Sequence, residues 1–530
     1  MKKNVYSLGS GSDRLTFLFC FSIFTPKTRI GKETGIITVK KIKLFYLLIF
    51  LLSLSIGLQG CFKVGPNYKK PTTSLPASWQ QDILKKDPAL VPEPAMVKRW
   101  WKVFDDPILN QLIEEAGKSN YDIRIAMARV EEAWAQIGVV SGQRMPQIDV
   151  KGSFNRQRSS ENGQYPGGDL YNEYISQIGA TWEIDLFGRI KRQIVSAKAN
   201  FEATRELKTD VMISVYAQVA NSYITLRTAQ ARLAASLYNI KSQKEIVDLT
   251  QTRFKYGLAS DLDVAQSEQV LAISESTLPP LRTQIENSIH TLSVLLGKSP
   301  SDLKDLLKPE KPIPMLPSRI KVGIPMDLVR RRPDIRAAER QLAAQTERIG
   351  IATSYLYPRL SIAGFFGFLS TDATEAFHWS SRAFSVGGGL NWNIFNGGSV
   401  RSLIKVEDAR TRQALLNYEK TLLRAMKEVE DSLVKYADGE QRVLDLRHSV
   451  KVARRTLDLS LTLYKEGLKD FQSTLDAERV LFEAENNLAE AEGITAVNLV
   501  NLYRALGGGW DPDATEPDTI QTSQQKVQKK

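Results

Sequence analysis

Cysteine, histidine and long apolar runs are all scarce in this 530-residue chain. The two cysteines, Cys20 and Cys61, lie at or before the expected mature N-terminus. The mature chain is therefore expected to hold no internal disulfide and no cysteine-based metal site. His290, His378 and His448 are the only histidines and stand far apart; they read as solvated or packed residues. The chain has no nucleotide-binding glycine loop, no cluster of histidine ligands and no nucleophile elbow, so it is not expected to be an enzyme. The methionines after Met1 are scattered, without the thioether relay that soft metals favour. Positive charge is thinner than the net +12 suggests: residues 1–60 carry nine Lys/Arg against two Asp/Glu, which leaves +5 for the other 470 residues. No basic patch is interleaved with aromatics, which argues against nucleic acid. Beyond residue 60 no stretch is long and apolar enough to span a bilayer as a helix. A mature chain that crosses a membrane must then do so as closed β-barrel strands.

The N-terminal region has the pattern of an export signal. Lys40, Lys41 and Lys43 precede the uncharged stretch Leu44–Leu58, which ends in Leu58-Gln59-Gly60-Cys61. A cationic start, a short apolar core and small residues at its end indicate a signal peptide over residues 39–60. The ending resembles a bacterial lipobox. That resemblance implies cleavage before Cys61 and a diacylglycerol and N-acyl lipid on it, with no other cofactor. Phe62 stands where an inner-membrane retention signal has aspartate, which favours the outer membrane. Residues 1–38 precede an unusually complete signal, so translation is expected to start at Val39.

The rest of the chain is written twice. Asp122-Ile123-Arg124 returns as Asp334-Ile335-Arg336, Pro146 as Pro358, and Phe154 as Phe366, all 212 residues later. Further on the shift is 210: Trp182 returns as Trp392, Gly257-Leu258 as Gly467-Leu468, Glu268 as Glu478, and Leu296-Gly297 as Leu506-Gly507. A long repeat with one small indel indicates duplication of a whole module. The expected organisation is a lipid-anchored tether over 61–104, a first repeat over 105–298, a proline-rich linker over 299–333, a second repeat over 334–510 and a polar tail over 511–530. Each repeat predicts a shorter helix, two strands, a very long helix, a turn and a second long helix.

Strands are expected near 148–154, 174–184, 359–368 and 384–394. Tyr174, Ile178, Ala180, Trp182 and Ile184 share one face, opposite Gln177, Thr181 and Glu183. Phe384, Val386, Leu390, Trp392 and Ile394 likewise oppose Ser385, Gly387, Gly389, Asn391 and Asn393. An apolar face against a polar one over such lengths fits a transmembrane barrel strand with a wet lumen. The long helices keep four-three spacing, from Met212 through Val219, Tyr223, Leu226, Leu237 and Val247 to Phe254, and again from Leu422 to Tyr464. Four strands cannot enclose a pore, and lipid does not tolerate an open sheet edge. The chain must pool strands with copies of itself; three copies would give a twelve-stranded barrel, and pattern alone does not separate three from four.

These motifs resemble the outer-membrane factor family, the TolC- and OprM-like lipoproteins of RND-type tripartite efflux systems, in particular the NodT-type subfamily. The carriers are Cys61-Phe62-Lys63-Val64-Gly65-Pro66-Asn67-Tyr68, Trp100-Trp101-x-x-Phe104-x-Asp106-Pro107, Arg331-Arg332-Pro333-Asp334-Ile335-Arg336, Tyr357-Pro358-Arg359-Leu360 and Leu506-Gly507-Gly508-Gly509-Trp510. The resemblance implies an α+β membrane protein. It would be a homotrimer with a twelve-stranded β-barrel in the outer membrane of a Gram-negative bacterium and a coiled-coil α-barrel through the periplasm. It implies a periplasmic adaptor and an inner-membrane RND-type pump as partners, and passive export of small toxic compounds or drugs. Protein secretion or metal-ion efflux on the same fold, or a non-conducting spacer, are the alternatives.

Gly257 and Gly467 are expected to turn the helical hairpins, where glycine takes the left-handed cap conformation. By resemblance, the second-repeat tip carries the periplasmic gate at Asp476, with Tyr464, Lys469 and Asp470 as neighbours that tie the closed state. Gln266 stands at the first-repeat counterpart of Asp476, and Ser473 where the family carries a second acid. Pro333 and Asp334 suit a helix start, so the Arg331–Arg336 motif is read as structural.

Overall fold

The computed structural model describes residues 63–72, 76, 78–79, 90–91, 98–162, 168–317, 319–323 and 331–510. The signal peptide, the upstream segment, Cys61 and the polar tail lie outside the described residues.

The first repeat runs α1 (Pro107–Ser119), α2 (Tyr121–Gly142), β2 (Gln147–Arg158), β3 (Leu170–Ile184), α3 (Arg189–Lys255), α4 (Asp261–Ser276) and α5 (Leu278–Leu295). A short turn of helix, α6 (Lys304–Leu307), precedes the second repeat: α7 (Pro333–Ser354), β5 (Arg359–Ser370), β6 (Arg382–Asn391), α8 (Ser399–Lys465) and α9 (Phe471–Ala505). Two-residue strands β1 (Leu90–Val91) and β4 (Ile320–Lys321) pair in parallel. Helices α3 and α8 each have 67 residues, ~100 Å at 1.5 Å per residue. No described helix is long and apolar enough to cross a membrane.

The main sheet is antiparallel in the order β2-β3-β5-β6. Its register joins the two repeats through Ile178 opposite Phe366 and Trp182 opposite Ile362. Ile178 also pairs with Val150, and Phe366 with Phe384, so one apolar row crosses all four strands on one face, while Ile175, Phe365 and Leu369 lie on the other. The opposite face carries Asp149, Lys151, Gln177, Ser361, Ser385 and Asn391 in the same rows. The apolar face is bare: Val150 is 78% exposed and Val386 80%. Strand β6 ends at Asn391, short of the expected Ile394. Just past its end, Trp392 Nε1 donates to Leu356 O, in the turn between α7 and β5, at 3.0 Å. The equivalent Trp182 Nε1 donates to Arg144 O at 2.9 Å in the first repeat, the same bond made twice.

The main core lies where both repeats meet. Asp106 caps α1 by accepting from Ile108 N and Leu109 N, and its other oxygen accepts from the Tyr223 hydroxyl at 2.7 Å. Trp100 stacks on Tyr503 of α9 (centroids 5.7 Å). Val219, Tyr223 and Leu226 of α3 are fully buried there with Val429, Leu433 and Tyr436 of α8. Full burial of each such side chain contributes about 1.5–3 kcal/mol.

Two expectations about the helices are corrected. The second long helix is continuous in the second repeat, but in the first it breaks at Thr277 into α4 and α5. Pro279 and Pro280 follow the break; proline is tolerated in the first turn of a helix and disrupts an interior. Below Gln230 the buried seam of α3 keeps Ile240 and Val247 of the expected spacing but widens by one residue toward the N-terminus. Ser236, Asn239, Gln243 and Thr250 are buried, while Leu237 and Phe254 stand 43% and 44% exposed. The helix is covered there by α4 and by the tip of α9, where Ile246 packs on Phe471 and Leu475.

Candidate functional site: the hairpin tips and the sheet

Both hairpin tips are built by the same backbone device. Gly257 has φ +71° and Gly467 φ +72°. Leu258 N donates to Arg253 O (2.8 Å) and Gly257 N to Phe254 O (2.9 Å). In the second repeat Leu468 N donates to Leu463 O (2.9 Å) and Gly467 N to Tyr464 O (3.0 Å). This is the Schellman pattern, which satisfies the last carbonyls of the helix. A Cβ at either glycine would meet nothing within 4 Å, so the cost of a side chain is purely conformational. Gly467→Ala is expected to destabilise the protein by roughly 1–2 kcal/mol, read as a lower thermal midpoint with the far-ultraviolet spectrum unchanged.

The following helices are capped with the chemistry exchanged. Ser260 caps α4 and forms a reciprocal box with Asp263. Asp470 caps α9, accepting from Ser473 N at 3.1 Å and Ser473 Oγ at 2.6 Å. Those two bonds hold the Asp470 carboxyl below the ordinary range. Ser473, the position where the resemblance implied an acid, thus completes the cap.

Asp476 lies on α9 just beyond this cap, with its side chain 54% exposed. Gln472 Nε2 donates to it at 3.3 Å, and Arg479 Nη2 stands 3.6 Å away. Lys469 is exposed in the turn. Tyr464 is buried, packed on Phe471 (5.2 Å) and against Ile246 and Leu475; burial pushes its hydroxyl up from the ordinary value. Of the four, Asp476 and Lys469 face solvent in the single chain, Asp470 is spent on capping, and Tyr464 belongs to the tip core.

Sequence reasoning missed two residues here. The Arg253 guanidinium lies 4.6 Å over the Tyr464 ring, and its Nη1 donates to Lys465 O at 3.2 Å. It joins the tip of the first repeat to that of the second. Glu478, two residues past Asp476, is 5% exposed, and its Oε1 has no hydrogen-bond partner. Repeat alignment held the signal for both. The counterpart of Arg253 is Leu463, and Gln251, which donates to Glu268 at 3.0 Å, is replaced opposite Glu478 by Leu461.

No group of three or more His, Cys, Asp or Glu suited to a metal occurs among the described residues. The histidines sit apart, on α5, in the β5–β6 connection and on α8. An open groove of about 760 Å³ beside the Pro279–Pro280 break is lined by Asn221, Thr225, Thr283 and other amide and hydroxyl side chains, with no charged or acid-base residue among them.

The outer membrane efflux protein family profile matches residues 112–298 and 324–508, one span on each repeat. The chain belongs to this family. It is similar to nodulation protein T of Rhizobium leguminosarum bv. trifolii, 29% identical over 461 residues covering 87% of this chain and 97% of that one. It is similar also to the toluene efflux pump outer membrane protein TtgC of Pseudomonas putida, 29% identical over 466 residues, with 87% and 96% covered. Among solved structures, the outer-membrane channel OprN is 35% identical, with a TM-score of 0.79 over 84% of this chain and 99% of that one. The Campylobacter jejuni CmeC outer membrane channel, at 23% identity and a TM-score of 0.77, shares the fold. The chain is an outer-membrane efflux channel of the α+β class, and not an enzyme.

Proposed function

We propose that three copies of this chain form the exit duct of a tripartite pump that exports small toxic organic compounds. The observation that carries the reading is the four-stranded sheet, apolar and bare on one face, polar on the other, with β2 and β6 as its edges. Three such sheets joined edge to edge give twelve strands, with the apolar rows toward lipid and the polar rows toward a wet lumen. The helices then continue the lumen into the periplasm, and the tips at Gly257 and Gly467 converge on the axis. Three copies of Asp476 make a ring there that favours cations. Lys469, Asp470 and Tyr464 support that gate, Asp470 through the α9 cap and Tyr464 through its contact with Arg253. The tips receive a periplasmic adaptor, which couples the duct to an inner-membrane RND-type pump. Cys61 carries the lipid anchor. The substrate class is supported by relatives named for toluene efflux and pyoverdine export.

Planar-bilayer recording tests this reading. Wild-type protein should give small, cation-selective openings, and Asp476→Ala should lose most of that selectivity or open wider. Silence from both proteins would leave a duct sealed elsewhere than at Asp476, or a non-conducting spacer. Unchanged selectivity in the variant would move the gate away from Asp476.

A further inference from the structure

The segment Lys63-Val64-Gly65-Pro66-Asn67-Tyr68 opens the stretch expected to be a tether from the lipid anchor to the body. In the structure it is fastened. Arg192, in the first turn of α3, is fully buried. Its Nε donates to Val64 O (2.7 Å), Nη1 to Pro66 O and to Glu347 Oε2 (2.8 Å each), and Nη2 to Gly65 O (2.7 Å). Lys63 Nζ reaches the same Glu347 carboxylate at 3.0 Å. Farther along, the Tyr68 hydroxyl donates to Glu339 Oε1 at 2.9 Å. Glu347 and Glu339 are on α7 of the second repeat, and Arg192 is on α3 of the first, so the N-terminal segment is bound across the join between repeats.

The fit depends on absent side chains. Gly65 has φ +84°, and a Cβ there would lie 2.6 Å from Gly350 Cα; a Cβ on Gly350 would in turn run into Arg192. Such a site is highly specific: the guanidinium fork is held by three backbone carbonyls and a carboxylate in a buried place.

The location of the clamp matters. Gly188, which starts α3 just past the end of β3, borders Lys63; a Cβ there would stand 3.1 Å from Lys63 Cα. Val64 N also donates to Phe187 O at 3.4 Å. Cys61 precedes Lys63 by two residues, which extend at most ~7 Å. The described chain therefore begins beside the helical end of the sheet.

We propose that Arg192 and Glu347 fasten the acylated N-terminus at the β3–α3 junction and so fix where its acyl chains enter the inner leaflet relative to the barrel strands. The proposal rests on the reading of Cys61 as the lipid-bearing residue. The anchor is then a fixed post, and the depth of the strands in the bilayer is set against it.

Trypsin digestion of the full-length protein purified from membranes tests this, because Lys69 is exposed in the segment. Release of the N-terminal peptide should be slow in wild type. It should be at least about tenfold faster in Arg192→Met and in Gly65→Ala, as expected where cleavage follows the population of the open form. Gly65→Ala leaves Arg192 and Glu347 in place, so it decides the matter if Arg192→Met fails to fold. Circular dichroism and the trimer band confirm that the remainder is intact. Equal release from wild type and both variants overturns the clamp. The mass of the released peptide reads acylation separately. An unmodified Cys61 overturns the anchor reading, and with it the placement of the acyl chains, whatever the rates. An acylated peptide released at different rates supports the whole.

Discussion

At pH 8, Glu478→Gln should unfold at a higher temperature than the parent protein, and at pH 4 the two should coincide. Glu478 is buried on α9 with one carboxylate oxygen unpartnered, and burial pushes its carboxyl up from the ordinary 4.5 to about 7. A raised acid pKa means that the fold disfavours the charged form. The unfolded chain ionises near the ordinary value while the folded chain still holds the proton. Stability is therefore undiminished below pH 4.5, erodes as pH rises toward 7, and stays at its lower level above that. The shift corresponds to a ceiling of about 3 kcal/mol. Glutamine is neutral throughout and similar in shape, so it avoids the penalty without opening a cavity. Thermal melts of detergent-solubilised protein across pH 4–8 measure the effect. A difference between variant and parent that stays constant with pH would show that ionisation of Glu478 is not its cause. The first repeat supplies the internal control, because Glu268 is exposed and accepts from Gln251. Glu268→Gln should change stability by less than about 0.5 kcal/mol at either pH.

The sheet was legible in the sequence for a simple reason. Its apolar face has no covering layer within the chain, so alternate residues must be apolar along the whole strand. Val150, Ile178, Phe366 and Phe384 therefore line up in one row both in the pattern and in the register. The 67-residue helices were legible because four-three spacing persists through both of them. The spacing did not say which neighbour covers the helix at each level. Below Gln230 the partners change: Ile240 and Val247 stay in the seam, polar Ser236, Asn239 and Gln243 join it, and Leu237 leaves it. The break at Thr277 was marked by Pro279-Pro280, but the element order shared by the two repeats, with one second long helix in each, passed over it.

The tips were half legible. Glycines that need the left-handed region declare themselves wherever a helical pattern stops, so Gly257 and Gly467 were found directly. The partnership of Arg253 with Tyr464 was not, because a cation over a ring between repeats leaves no periodic trace. What exposes it is the difference between the copies: Arg253 against Leu463, and Gln251 against Leu461. In a duplicated chain the shared residues report the scaffold. Positions where the copies diverge are where one tip has acquired a property that the other lacks.

Arg332→Met should cost about 1.5–3 kcal/mol, the loss of charge-assisted hydrogen bonds made by a buried guanidinium to carboxylates that stay partly exposed. Arg332 is 8% exposed and sits just before α7. Its Nε and Nη2 donate to Asp334 at 3.0 and 2.7 Å, while Nη1 reaches Ala505 O at 3.0 Å and Glu428 Oε2 at 2.8 Å. One side chain thereby ties the start of α7 to α8 and to the end of α9. It lines a cavity of about 220 Å³ shared with Asp210, Asp334, Arg424, Glu428 and Arg504. Burial, followed by the nearby Asp334 charge, already raises the carboxyl of Asp210, so acid in this cavity is close to its limit. Removing Arg332 leaves three carboxylates against two guanidinium groups. Methionine retains most of the volume, so the loss reads charge and hydrogen bonds rather than a void. The deficit should shrink as pH falls, because Asp210, whose carboxyl is already raised, then takes up a proton. Lys427→Met, which breaks an exposed pair with Asp431 one turn away, is the control and should cost under about 1 kcal/mol. Equal, small losses in the two variants would reduce the Arg332 network to a surface feature; a large loss at neutral pH that narrows in acid would establish it as the electrostatic pin that holds the second repeat's helices together.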